Sequence, residues 1–130
     1  MSSTCPTKPV LIVDDNEDIR GALACLLQTE GYETACADNG ATALALLRQE
    51  HLEPCMILLD LNMPVMDGAT FRNIQRDDSR LAAVPVAVYS GADNVAKTVD
   101  GLCVAHVFQK PLNLNALVKV VRQHCSAPRA

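Results

Sequence analysis

Hydrophobic positions along this chain follow two patterns that take turns. Short unbroken apolar runs occur from Pro9 to Val13 and at Met56-Ile57-Leu58-Leu59, and Val84 to Tyr89 and Val104 to Phe108 read as two further strands. Runs of this length with no polar interruption read as strands buried on both faces. Between them, apolar residues recur at helical spacing: Ile19, Leu23, Leu26 and Leu27; Ala41, Leu44, Ala45 and Leu47; Phe71 and Ile74; Leu114, Leu117, Val118 and Val121. These stripes predict helices that each lay one face on a core. Gly31 stops the first helix, Asp38-Asn39-Gly40 is a turn and cap signal, and Asn113 is placed to cap the last helix. Glu33 to Ala37 is shorter and more polar, which suits an edge strand. Pro85 is tolerated near the start of its strand. Asp93 to Val99 supports a short helix at most.

Five strands alternating with helices predict a doubly wound α/β domain with right-handed crossovers. The continuous apolar strands belong at its centre. The order 2-1-3-4-5, with helices on both faces, is adopted by analogy with the flavodoxin-like arrangement. The domain is expected to span residues 9–125, with a disordered leader at 1–8 and a tail at 126–130.

The polar residues that break the apolar runs all fall where strands end: Asp14-Asp15, Asp60, Ser90 and Lys110. In an open parallel sheet those carboxyl ends share one edge, the edge where ligands bind. Carboxylates brought together there must take up protons or recruit a cation. Oxygen donors without imidazole or thiolate point to a hard ion such as Mg²⁺. A lysine and a hydroxyl opposite a carboxylate-held Mg²⁺ suit a phosphoryl group. Each residue alone has a plainer reading: Asp14-Asp15 as helix caps, Asp60 and Ser90 as turn residues, Lys110 as a solvated charge. The set, gathered at one sheet edge, is what favours chemistry.

Composition narrows the partners. The 130 residues are 49% hydrophobic and carry a formal net charge of −4, with no Trp, two Tyr and two Phe. Few rings and no basic run argue against nucleic acid. No apolar run reaches the length of a membrane span, and the first residues lack the apolar core of a signal peptide. A cytoplasmic location is expected. The six cysteines, at 5, 25, 36, 55, 103 and 125, show no Cys-x-x-Cys spacing. They are expected to be reduced and to pack as small hydrophobes.

Five motifs, taken together, resemble the receiver domain of two-component response regulators, the CheY-like family. They are Val-Leu-Ile-Val-Asp-Asp-Asn-Glu (10–17), Ala-Asp-Asn-Gly-Ala-Thr-Ala-Leu (37–44), Leu-Asp-Leu-Asn-Met-Pro-Val-Met-Asp-Gly (59–68), Val-Pro-Val-Ala-Val-Tyr-Ser-Gly (84–91) and Gln-Lys-Pro-Leu (109–112). The resemblance covers residue 9 to about 124. It implies that Asp60 accepts a phosphoryl group from a histidine kinase or a histidine phosphotransfer protein. Asp15 would ligate Mg²⁺ directly, Asp14 mainly through water, and Asn62 through its backbone carbonyl. Lys110 would hold a phosphoryl oxygen, Ser90 would hydrogen-bond the phosphoryl group, and the Lys110-Pro111 bond would be cis.

The match departs at one place. Family members usually carry an aromatic switch residue three positions before the lysine, and here that residue is Val107, between His106 and Phe108. Phe108 is expected to fill core instead. The function expected is a phosphoacceptor signalling module that catalyses only its own phosphorylation and dephosphorylation and switches the binding of a downstream protein. The alternative is a receiver-like docking module that is not phosphorylated. An enzyme or electron carrier on the same fold fits less well: the loop after the first strand is acidic where a flavin phosphate needs Ser, Thr and Gly, and Asn62 stands where a haloacid-type phosphatase needs a second Asp.

Overall fold

The computed structural model describes residues 8–50, 52–60, 68–78, 81–82, 84–90, 106–109 and 113–125. Among them are strands β1 (Val10–Val13), β2 (Thr34–Ala37), β3 (Met56–Asp60), β4 (Val86–Ser90) and β5 (His106–Gln109). The helices are α1 (Glu17–Thr29), α2 (Gly40–Arg48), α3 (Gly68–Asp77) and α4 (Leu114–His124). The strands form one parallel sheet in the order β2-β1-β3-β4-β5, as the sequence predicts. Every residue of β1 and β3 is buried, while β2, at the edge, exposes Cys36. Pro85 precedes β4, where its missing N–H costs no ladder bond, and its carbonyl accepts from the Ile57 N–H at 2.9 Å.

Two separate cores flank the sheet. One packs Leu11, Val13, Ile57, Leu59, Val86 and Val88 against α2 and α3 through Leu44, Leu47 and Phe71. The other packs Val10, Ile12, Met56, Leu58, Ala87 and Tyr89 against α1 and α4 through Leu23, Leu27, Leu117 and Val121. Odd and even residues of each strand divide cleanly between the two, as the period of a strand requires. Phe108 packs, half-buried, on the α1/α4 side.

Asparagine caps three helices. Asn16, Asn39 and Asn113 accept from the N–H groups of Ile19, Thr42 and Ala116 at 3.1, 2.8 and 3.1 Å. Helix α1 ends in a Schellman turn: Gly31, at φ 95°, donates to Gln28 O, and Tyr32 donates to Leu27 O. Only glycine adopts that φ without strain.

The cysteines depart from expectation. Cys55 and Cys125 form a disulfide, with Cα atoms 5.3 Å apart at a sequence separation of 70. Helix α4 runs antiparallel to the strands, so its last turn returns to the amino edge of the sheet, where Cys55 leads into β3. Sequence spacing carries no trace of that encounter. Cys25 and Cys36 are free and exposed. The expected helix at 93–99, the 61–67 turn and the 126–130 tail lie outside the described residues. No helix among the described residues is long and apolar enough to cross a membrane.

Candidate functional site

Register brings the acids together. Val13 pairs with Leu59, so Asp14 and Asp60 follow on neighbouring strands, one residue further on. Asp14 and Asp60 are buried, at 0% and 2% exposure, and Asp15 is exposed. Asp14, Asp15 and Asp60 each offer one carboxylate oxygen, and these atoms lie within 4.8 Å of one another. Three anions this close repel. Hard oxygen donors at this spacing fit a divalent cation that fills its remaining positions with water.

Asp14 is held from several directions. Its Oδ1 accepts from the Asn16 N–H at 2.8 Å, and its Oδ2 accepts from the Tyr89 hydroxyl at 2.6 Å. The Arg20 guanidinium donates to the Asp14 carbonyl at 2.7 Å, and the Asp14 N–H donates to Ala37 O at 3.1 Å. The loop that carries the acidic pair is thereby tied to β2, to α1 and to β4. Asn16, rather than either aspartate, caps α1. That removes the plainer reading of Asp14-Asp15 as cap residues and leaves their carboxylates to the site.

Tyr89 was not among the sequence-based candidates. It pairs with Asp60 across the β3–β4 ladder and reaches past it to Asp14 on β1. Burial pushes its phenol far above the usual tyrosine range; the hydrogen bond to Asp14 and the charges of Asp14, Asp60 and Asp15 add to that push. The phenol is therefore a standing donor at neutral pH. The sequence holds only a hint of this: the hydroxyl of a tyrosine in a buried strand usually finds a partner, but nothing local says which.

Of the other candidates, Ser90 ends β4 and pairs with Gln109. Its side chain lies outside the described residues, as do Asn62, Lys110 and the Lys110-Pro111 bond. His106 and Val107 are described as strand backbone only.

Comparison with known proteins agrees with this arrangement. The family "Response regulator receiver domain" matches residues 10–122. The polar-differentiation response regulator DivK of Brucella ovis is 29% identical over 121 residues, which is 91% of this chain and 96% of DivK. The regulatory protein AtoC of Escherichia coli is 30% identical over 115 residues, 88% of this chain; the match spans only 24% of AtoC. Among solved structures, a response regulator receiver protein from Pseudomonas putida superposes with a TM-score of 0.82 at 30% identity, covering 92% of this chain and 99% of that one. The chemotaxis protein CheY4 of Vibrio cholerae gives 0.81 at 29% identity, with the same coverage. A parallel sheet of this order, an acidic cluster at its carboxyl edge and a family match over most of the length lead to one conclusion: the chain belongs to the response regulator receiver domain family.

Proposed function

We propose that this receiver domain is a phosphoacceptor module in which Asp60 takes a phosphoryl group from a phosphohistidine on a histidine kinase or a histidine phosphotransfer protein. The observation that carries the reading is the cluster of Asp14, Asp15 and Asp60 at the carboxyl edge of the central strands. An Asp60 carboxylate oxygen attacks phosphorus, an O–P bond forms, the P–N bond breaks and its electron pair returns to the imidazole nitrogen. Water later attacks the same phosphorus, the Asp60 O–P bond breaks with its electron pair returning to the carboxylate, and phosphate leaves.

Asp14, Asp15 and Asp60 are the residues suited to hold Mg²⁺, with the Asn62 carbonyl as a further donor. The bound cation supplies charge neutralisation, which lets an anionic phosphoryl group approach an anionic acceptor. Lys110 holds a phosphoryl oxygen and Ser90 hydrogen-bonds the group. The new acyl phosphate adds charge at one sheet edge and changes which protein binds the domain. The chemistry is that of a signalling switch, and it belongs in the cytoplasm, where kinase and nucleotide meet.

The test is intact mass after incubation with a small acyl phosphate and Mg²⁺, with and without chelator. One Mg²⁺-dependent phosphoryl adduct on the wild type, absent from Asp60→Ala, is the expected result. If neither an adduct nor binding of a stable phosphoryl mimic is seen, the domain is a docking module instead.

A further inference from the structure

Tyr89 stands apart from the acids that the proposed function uses, yet it shares a hydrogen bond with one of them. Its ring is buried, at 1% exposure, among Leu58, Leu117 and Val121. Only its hydroxyl leaves the hydrocarbon, and it meets Asp14 Oδ2 at 2.6 Å. Asp14 itself is fully buried, so a lost donor leaves one of its carboxylate oxygens short of a partner. The other carboxylate oxygen is fixed by the Asn16 N–H. Two donors approaching from opposite ends set the plane of this carboxylate.

We propose that Tyr89 is a positioning residue of the cation site: its hydroxyl holds the Asp14 carboxylate in the orientation that, with Asp15 and Asp60, receives a divalent cation. The inference rests on the Mg²⁺ reading given above. Without the hydroxyl, Asp14 keeps one donor and faces two like charges inside 4.8 Å. It relieves that repulsion by rotating away, and the oxygen set opens before any ion arrives. A hydrogen bond to a charged group is worth roughly a tenfold change in affinity. Tyr89→Phe, which keeps the ring and removes the O–H, is expected to weaken Mg²⁺ binding by about that factor.

The chain itself offers a second readout. It has two tyrosines and no tryptophan, so its ultraviolet emission comes from Tyr32 and Tyr89 alone. Tyr32 is buried in the same core, and its hydroxyl has no hydrogen-bond partner among the described residues. In Tyr32→Phe, emission reports Tyr89 only. The experiment titrates Mg²⁺ into wild type, Tyr32→Phe and Tyr89→Phe by calorimetry and follows emission in parallel, with thermal melting as a check on folding. The expected result is a wild-type Kd and a Mg²⁺-dependent emission change in Tyr32→Phe, against a roughly tenfold weaker Kd and no emission change in Tyr89→Phe. A Tyr89→Phe protein that binds Mg²⁺ as tightly as wild type, or tighter, overturns the proposal, whatever its melting temperature. So does a Tyr32→Phe protein whose emission ignores Mg²⁺. If the wild type binds no Mg²⁺ at all, the cation reading falls first and this inference with it.

Discussion

The two faces of the sheet are built for different tasks. The core under α2 and α3 is hydrocarbon throughout, with Phe71 its largest member. The buried polar residue near it, Gln75, donates to the carbonyls of Leu81 and Val84 at 2.9 and 3.2 Å and so ties the end of α3 to the approach to β4. The core under α1 and α4 holds both tyrosines and Cys125 of the disulfide, and Tyr89 bonds from it to Asp14. Equal burial therefore carries unequal information. A change in packing under α2 and α3 costs stability and stops there. A change under α1 and α4 that reaches Tyr89 lies one hydrogen bond from the acids.

The disulfide gives the largest expected difference between the faces. Closing a loop of 70 residues stabilises by about 4 kcal/mol on the chain-entropy account. Cys125→Ser is expected to lose roughly that amount in a urea titration while leaving the Mg²⁺ affinity unchanged, since the bond lies at the opposite edge from the acids. An unchanged urea midpoint would remove the staple from the account of stability.

Leucine truncations come next. Leu47 and Leu117 are both fully buried, one on each face. Truncation to alanine should cost each protein about 3 kcal/mol. Only Leu117→Ala should also alter the Tyr89 emission and the Mg²⁺ affinity. If Leu47→Ala alters them equally, the two faces do not differ in this way.

The caps bound the contrast. Asn16→Ala and Asn39→Ala each remove an N-cap, at about 1 kcal/mol. The Asn16 donor to Asp14 is its backbone N–H, which alanine keeps, so Asn16→Ala, like Asn39→Ala, should leave the calorimetric isotherm unchanged. The smallest effect belongs to the Arg122–Glu30 pair between α4 and α1, whose partners are 59% and 34% exposed. Arg122→Ala should move stability by less than about 0.5 kcal/mol, within the range of most surface substitutions.

Most of the fold was legible because the strands announce themselves. Four residues without a polar atom, as at Val10–Val13, admit few other readings, and the polar character of β2 marks it as an edge. The acids were legible for the same reason: Asp14 and Asp60 are each the first charge after such a run, and Asp15 follows Asp14 directly. What escaped was whatever depends on two distant segments meeting. Tyr89 reads in sequence as one more apolar strand residue, and its bond to Asp14 spans 75 positions. The Cys55–Cys125 pairing needs the return direction of α4, which no local pattern encodes.

That pairing has a mechanical side. Cys55 also donates its N–H to Pro9 O at 2.9 Å, so the entry to β1 and the exit from α4 converge on one residue. Tension applied between residues 9 and 125 would run through the first strand and α1 to Cys55 and then cross the sulfur bridge. The residues enclosed between Cys55 and Cys125, which include β3 and its aspartate, would bear no load. At roughly 3.5 Å per extended residue, about 250 Å of contour length stays hidden until the bridge is reduced.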